Sequence, residues 1–402
     1  MLGPEHPDVA ESLNNRAALL QIQGKYSDAE PLYERSQDIR EKVLGPEHPD
    51  VAQSLNSRAL LLEMQGKYAE AESLYERCQA IDEKVHGPDH PDVATTLNNR
   101  AGLLEKQGEF DEAGPLYERS LVIREKVYGP NHPAVAKALN NRARLLENQG
   151  KYDDAEPLYV RAIAIGEEAL GPDHPDLAVW LNNQAGLLKK QGKYEDADPL
   201  HLRAIQIFEQ SLGTDHPRLA AGLNYRAELL KALGKYAEAE PLYERSQTIR
   251  EQTLGPEHPD VAQSLNNRAE LSRAQGNYEE AAPLYHRSLA IREKALGLEH
   301  PDLAESLNNQ GLLLQAQGNY EEADPWYQRS LAMREKTLGP DHPDVAESLH
   351  NRARLLECQG KHNEALPLLE RASSIRRKKL GENHRYTVDT QISLERVQKH
   401  VE

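Results

Sequence analysis

The stretch Leu2–Val43, LGPEHPDVAESLNNRAALLQIQGKYSDAEPLYERSQDIREKV, decides the fold. It returns, lightly edited, from Leu44, His86, Tyr128, Leu170, Leu212, Leu254, Leu296 and Leu338. The nine copies are each 42 residues long, with no insertion or deletion, and a truncated tenth begins at Leu380. A fixed period of roughly 20–50 residues marks a solenoid of stacked supersecondary units. Residues 2–379 therefore read as nine tandem repeats. Residues 380–402 read as a degenerate tenth repeat that caps the stack with a polar helix, Thr387–Val401.

Each unit carries two helical patterns. The first runs from about Pro7 to Gln23, with Pro7 suited to the first helical position and Asp8 facing the positive end of the dipole. Val9, Leu13, Ala17 and Leu20 share one face, and Gly24 can take the left-handed conformation that ends the helix. The second pattern is expected to start near Ser27 as N-cap. Its apolar stripe is Ala29, Leu32, Tyr33, Ser36, Ile39 and Val43, and Pro31 falls near its first turn. The short connection at Gly24–Lys25 makes the two helices antiparallel. Neither helix can bury its stripe alone, so the copies must stack. Val and Ile are sparse and strong helix formers abundant, so the class is all-α.

The residues LNNRAALLQIQGKYSDAEPLYERS resemble the tetratricopeptide repeat, with a small residue at Ala17, Gly24–Lys25–Tyr26 at the turn, and Ala29 and Tyr33 in the second helix. With LNN, QGKY, AEPLY and LGPxHPDVA recurring at 42 residues, the chain is similar to the kinesin light chain subfamily over Leu2–Leu380. The resemblance implies a right-handed superhelical solenoid of antiparallel helix pairs. It also implies a concave groove, lined by first helices, that binds peptide segments of partner proteins. One departure is systematic: Arg16, Arg58, Arg100, Arg142, Gln184, Arg226, Arg268, Gln310 and Arg352 stand where the family has Leu. These guanidiniums fall inside the apolar arc and need partners. The expected ones are Glu30, Glu34 or their equivalents in a neighbouring repeat.

Nine internal versions of one unit show what is held and what drifts. Pro7, Leu13, Leu19, Gly24, Ala29 and Arg35 recur unchanged in all nine, while the places of Glu11, Ala18, Gln21 and Ile22 vary. A row of Asn14, Asn56, Asn98, Asn140, Asn182, Asn224, Asn266 and Asn308 stays constant, broken by His350. Carboxamides suit clamping an extended peptide backbone, although the row could instead bond a neighbouring helix. Beside it, early repeats carry Glu63, Glu105 and Glu147. From the fourth repeat on, Arg144, Lys189, Lys190, Lys231 and Arg273 make the arc basic. That pattern points to an acidic peptide segment docking on the middle repeats; the alternative is solvated positions drifting freely.

No catalytic signature accompanies the repeats. Phosphate-loop, dinucleotide, nucleophile-elbow and zinc-protease motifs are absent. The ladder His6, His48, His90 and so on to His384 occurs once per repeat, so it reads as helix capping or packing rather than metal ligation. Cys78 and Cys358 have no metal-ligand or disulfide spacing, which fits a reducing, cytoplasmic setting. A net charge of −17 speaks against nucleic acid, and no apolar run is long enough to span a membrane. No cofactor or metal is expected. The reading is a non-catalytic protein-binding scaffold, monomeric in preference. Its alternatives are a regulatory or sensor module of a larger enzyme or signalling protein, which the start in the loop phase of the unit would suit, and a self-associating solenoid.

Overall fold

The computed structural model describes residues 3–401. Nineteen helices follow one another among these residues, with no strand between them. The first helix spans Pro7–Ile22 and the second Tyr26–Leu44, and these bounds recur at steps of 42 residues to Leu380. A final helix, Arg385–Val401, closes the chain. Two compact units result, residues 3–145 with 156–180, and residues 146–155 with 181–401. The expected start of the repeats at Leu2 lies outside the described residues.

Local chemistry sets these bounds. The His6 side chain sits in extended backbone, and its Nδ1 accepts the Asp8 N–H at 3.2 Å. The same bond recurs through all ten histidines of the ladder, from His48 and Asp50 to His384 and Tyr386. Each imidazole satisfies one of the orphan donors of a helix start. Gly24 ends the helix at φ +71°, a conformation that costs a residue with a Cβ steric energy.

Two sequence expectations are corrected here. The second helix begins at Tyr26, with Lys25 in the cap position and no side-chain cap bond, so Ser27 lies inside the helix. Tyr26 is buried and anchors that start by packing instead. Pro31 is the sixth residue of the helix rather than part of its first turn. The carbonyl it leaves without a donor belongs to exposed Ser27, where water can satisfy it.

Packing follows the invariant positions. Ala17 and Ala29 and all their equivalents from the second to the ninth repeat are buried, letting the two helices of a pair approach closely. The Leu19 row joins repeats: Leu103 packs on Ala59, Leu62, Ala71 and Tyr75, and Leu271 packs on Ala227, Leu230, Ala239 and Tyr243. Leu19 itself, with no earlier pair to meet, is 56% exposed. The invariant Arg35 row latches second helices together. Arg77 reaches Glu41 at 2.8 Å and the Pro46 carbonyl at 3.3 Å, and Arg371 repeats this on Glu335 and Pro340. The terminal helix covers the last apolar face through Leu394 and Val397 against Leu356, Ala365 and Leu369.

Removing one imidazole cap tests the helix-start chemistry. His258→Ala should cost about 1 kcal/mol of stability in urea unfolding, and His258→Asp should recover most of it, because a carboxylate also accepts at this place.

Candidate functional site

Within each compact unit first helices touch their successors, as Pro7–Ile22 touches Pro49–Met64 and Pro259–Ala274 touches Pro301–Ala316, and this variable face is where the sequence placed its candidates. The asparagine row does not stand free on this face. The Asn99 Nδ2 donates to Asn56 Oδ1 at 2.9 Å, Asn141 to Asn98 at 2.8 Å, Asn267 to Asn224 at 2.8 Å, Asn309 to Asn266 at 2.7 Å and Asn351 to Asn308 at 3.1 Å. Asn140, Asn182, Asn224, Asn266 and Asn308 are buried. The row is therefore a hydrogen-bonded ladder between repeats, the structural alternative left open above. Asn14 shows the rule by exception. Its Oδ1 is buried without a partner because Ser57 stands where the next repeat would offer an Asn.

The charges along the face are paired as well. Glu63 meets Lys106 at 2.9 Å, Glu105 meets Arg144 at 3.1 Å, and Glu147 meets Lys190 at 2.9 Å. In the middle repeats the polarity reverses: Lys189 meets Glu228 at 3.0 Å and Lys231 meets Glu270 at 2.6 Å. The structure places each of the expected cations Arg144, Lys189, Lys190 and Lys231 against a carboxylate of an adjacent repeat. Arg273 and Arg354 differ. Neither enters an ion pair among the described residues, since Leu312 and Gln315 stand where the facing carboxylate would be. Both lie close enough to the Tyr327 hydroxyl to offset part of the rise that burial gives its pKa. That hydroxyl donates to Gln315 Oε1 at 2.7 Å.

From the second repeat on the arginine row meets the expected acidic partners, while Arg16 is exposed and enters no ion pair among the described residues. Arg58 pairs with Glu34 of the preceding repeat at 2.5 Å, Arg100 with Glu76 at 2.6 Å, Arg226 with Asp198 at 2.8 Å, Arg268 with Glu244 at 3.0 Å and Arg352 with Asp324 at 2.7 Å. Cys78 takes the place of a serine and donates to the Ala52 carbonyl at 3.2 Å. Burial pushes its thiol up to about 12, which makes it inert. Cys358 is exposed. His86, which replaces the usual Leu, stacks on His90 at 4.4 Å beside Asp92. Tyr128 stacks on His132 in the same way one repeat later, at 4.6 Å, so the contact is one of aromatic packing.

Two features escaped the sequence reading. His201 replaces the tyrosine of the second helix, and its Nδ1 lies 2.7 Å from Asn182 Oδ1. This bond takes over the role of a neighbouring Asn, because the next repeat has Tyr225 at that place. Burial and the nearby Lys189 lower the His201 pKa to about 4. The alternation of charge was also legible in principle. Residues 39 apart along the varying rows have opposite signs at 105/144, 189/228, 231/270 and 357/396. Only the packing shows that these pairs touch.

Stacked antiparallel helix pairs of one length, joined face to face by register-matched bonds, define a helical-repeat scaffold. The family model for the tetratricopeptide repeat matches residues 8–84, 55–113, 92–165, 135–210, 176–224, 218–294, 260–336 and 302–378, and the chain belongs to that family. Its repeats are of the kinesin light chain-like kind. A Podosopora anserina protein assigned as a kinesin light chain, with nearly identical TPR-like repeats, is 30% identical. That match covers 51% of this chain and 97% of that one, with a TM-score of 0.41. BtubC (BKLC) from P. vanneervenii is 23% identical over 62% of this chain and 91% of that one, with a TM-score of 0.43. A Rap protein complexed with Competence and Sporulation Factor is 16% identical over 97% and 98%, with a TM-score of 0.54, a likeness of fold alone. No curated protein matches the chain.

Charge exchange tests the pairing. Lys231→Glu and Glu270→Lys should each lower stability by about 0.5–1 kcal/mol in urea unfolding, and the double exchange should restore most of it. Titration tests His201. Its folded pKa lies below its value of 6.5 in the unfolded chain, so its share of stability is complete above that pH and is lost as pH falls toward 4. His201→Tyr, the residue of seven sister repeats, should flatten the fall in Tm across that window.

Proposed function

We propose that this chain is a non-catalytic scaffold whose first-helix face is a concave groove that holds an extended segment of a partner protein. Membership of the tetratricopeptide repeat family supports the class of function. Within the groove, the asparagine row holds the repeats in register, so that any contact its carboxamides make to a ligand backbone is an addition to that role. No helix among the described residues is long and apolar enough to cross a membrane.

The observation that carries the ligand preference is the pair Arg273 and Arg354. Cations already bound to a carboxylate offer a ligand little, because the ligand must displace that carboxylate. Arg273 and Arg354 have no such competitor, and they flank Gln315 and the Tyr327 hydroxyl. An acidic segment therefore docks on the seventh to ninth repeats, with Arg273 and Arg354 binding carboxylates bidentately where geometry permits. Arg144, Lys189, Lys190 and Lys231 set the local field but leave most of the binding to these two.

A peptide array of acidic, neutral and basic segments should return acidic ligands. Arg273→Glu with Arg354→Glu should weaken the best of them by about tenfold or more, while the exchanged pair Lys231→Glu with Glu270→Lys leaves binding nearly unchanged. Equal loss in both double variants would sink the assignment of the ligand to these repeats.

A further inference from the structure

The place of Arg40 in the unit fills a slot between successive first helices, and in eight repeats the chain fills it from within. Six repeats supply an arginine. Arg40 donates to the Asp50 carbonyl, Gln53 Oε1 and Ser54 Oγ at 2.8, 3.1 and 2.8 Å. Arg292 reaches the Asp302 carbonyl and Ser306 Oγ at 2.9 Å, Gln263 Oε1 at 2.5 Å and the Glu305 carboxylate at 3.0 Å. Arg124, Arg250, Arg334 and Arg376 each reach the equivalent carbonyl at the start of the following repeat's first helix. The fourth repeat has Gly166 there, and the Trp180 ring occupies the space its side chain would take. The fifth has Phe208, buried against Gly222.

The second repeat reverses the charge. Asp82 stands at this place, 5% exposed, accepting from Thr96 Oγ1 at 3.0 Å and from Cys78 Sγ at 3.6 Å. Its short side chain leaves a cavity of about 320 Å³ whose lining includes Gln53, Asn56, Asp82, Asp92, Thr95 and Thr96. Among them, Gln53 answers to Gln263 and Thr96 to Ser306, which receive the Arg292 guanidinium in a sister slot. Asp50, Asp82 and Asp92 line this volume, and among the described residues no lysine or arginine pairs with Asp82 or Asp92. Asn56 belongs to the face described above, so the cavity opens beside the proposed groove.

We propose that this cavity binds a guanidinium group, the side chain of an arginine on a partner segment, entering from outside where six other repeats supply it from their own second helix. The planar fork of five donors matches the acceptors present, the Asp82 and Asp92 carboxylates and the Thr96 hydroxyl, while Gln53 Oε1 already accepts from Arg40. An ammonium group offers only a point charge to the same set, so arginine is preferred to lysine. This inference does not rest on Arg273 and Arg354, which lie in other repeats.

The test is calorimetric titration of the full chain with N-acetyl-arginine amide and with its lysine and citrulline counterparts. For a ligand of this size the expected Kd is on the order of 1 mM, with lysine several-fold weaker and citrulline at least about tenfold weaker. Asp82→Arg should abolish binding and raise the Tm, since it fills the slot as its sisters do. Asp82→Asn, which keeps the shape and removes the charge, should weaken binding by about tenfold. Equal binding of arginine and citrulline, or undiminished binding in either variant, would overturn the proposal. Arg273→Glu with Arg354→Glu should leave the titration unchanged, and Asp82→Arg should leave acidic-segment binding unchanged, so each reading can fail alone.

Discussion

A repeat of this kind can bury only the faces it turns to its two neighbours, and the polar groups at those boundaries find partners one repeat away. That constraint organises the molecule. Arg77 reaches 36 residues back to Glu41, Arg58 reaches 24 back to Glu34, Asn99 reaches 43 back to Asn56, and Lys189 reaches 39 forward to Glu228. With a period of 42 and no insertion, one set of offsets serves successive boundaries. A single inserted residue would move these donors off their acceptors together, and unpaired groups in a partly buried boundary are costly.

The same constraint explains which positions drift. The charge beside the asparagine row changes sign along the chain, yet the sign of its partner changes with it, as Glu105–Arg144 and Lys231–Glu270 show. Pairs can be exchanged at little net cost, whereas one member alone leaves a charge uncompensated. Variation in such a row is therefore weak testimony about a ligand. The informative places are those where compensation stops. Arg273 and Arg354 face Leu312 and Gln315, and Asp82 stands where its sisters have arginine or an aromatic filling. One stretch offers cations to an anion, and the other offers carboxylates to a cation.

Much of this was legible in the residues. Periodicity, the glycine turns and the invariant alanines gave the helix pairs and their stacking. The histidine ladder was read as capping, and the Nδ1 bonds to the backbone of each following helix are that capping. The arginine row calls for Glu30, Glu34 or neighbour equivalents as partners, and Glu34, Asp198 and Asp324 are such residues. The start of the second helix was misplaced at Ser27, because a hydroxyl is a good cap in general while here buried Tyr26 fixes the start by packing. Arg144, Lys189, Lys190 and Lys231 look like open charges in the sequence, because a helical wheel assigns a residue to a face without saying what lies across the boundary.

Sequence alone determined the unit, its two helices, its turns and the fact that copies must stack, since these depend on contacts within about 20 residues and on a repeat that has nowhere else to bury its apolar stripe. Tertiary structure decided which variable side chains were already spoken for, which slot was filled by Trp180 or Phe208, and which was left lined with carboxylates at Asp82. The division has a physical cause. Periodicity fixes the direction in which a side chain points, but pairing and cavity volume depend on the distance to an atom in the next repeat, and only packing sets that distance.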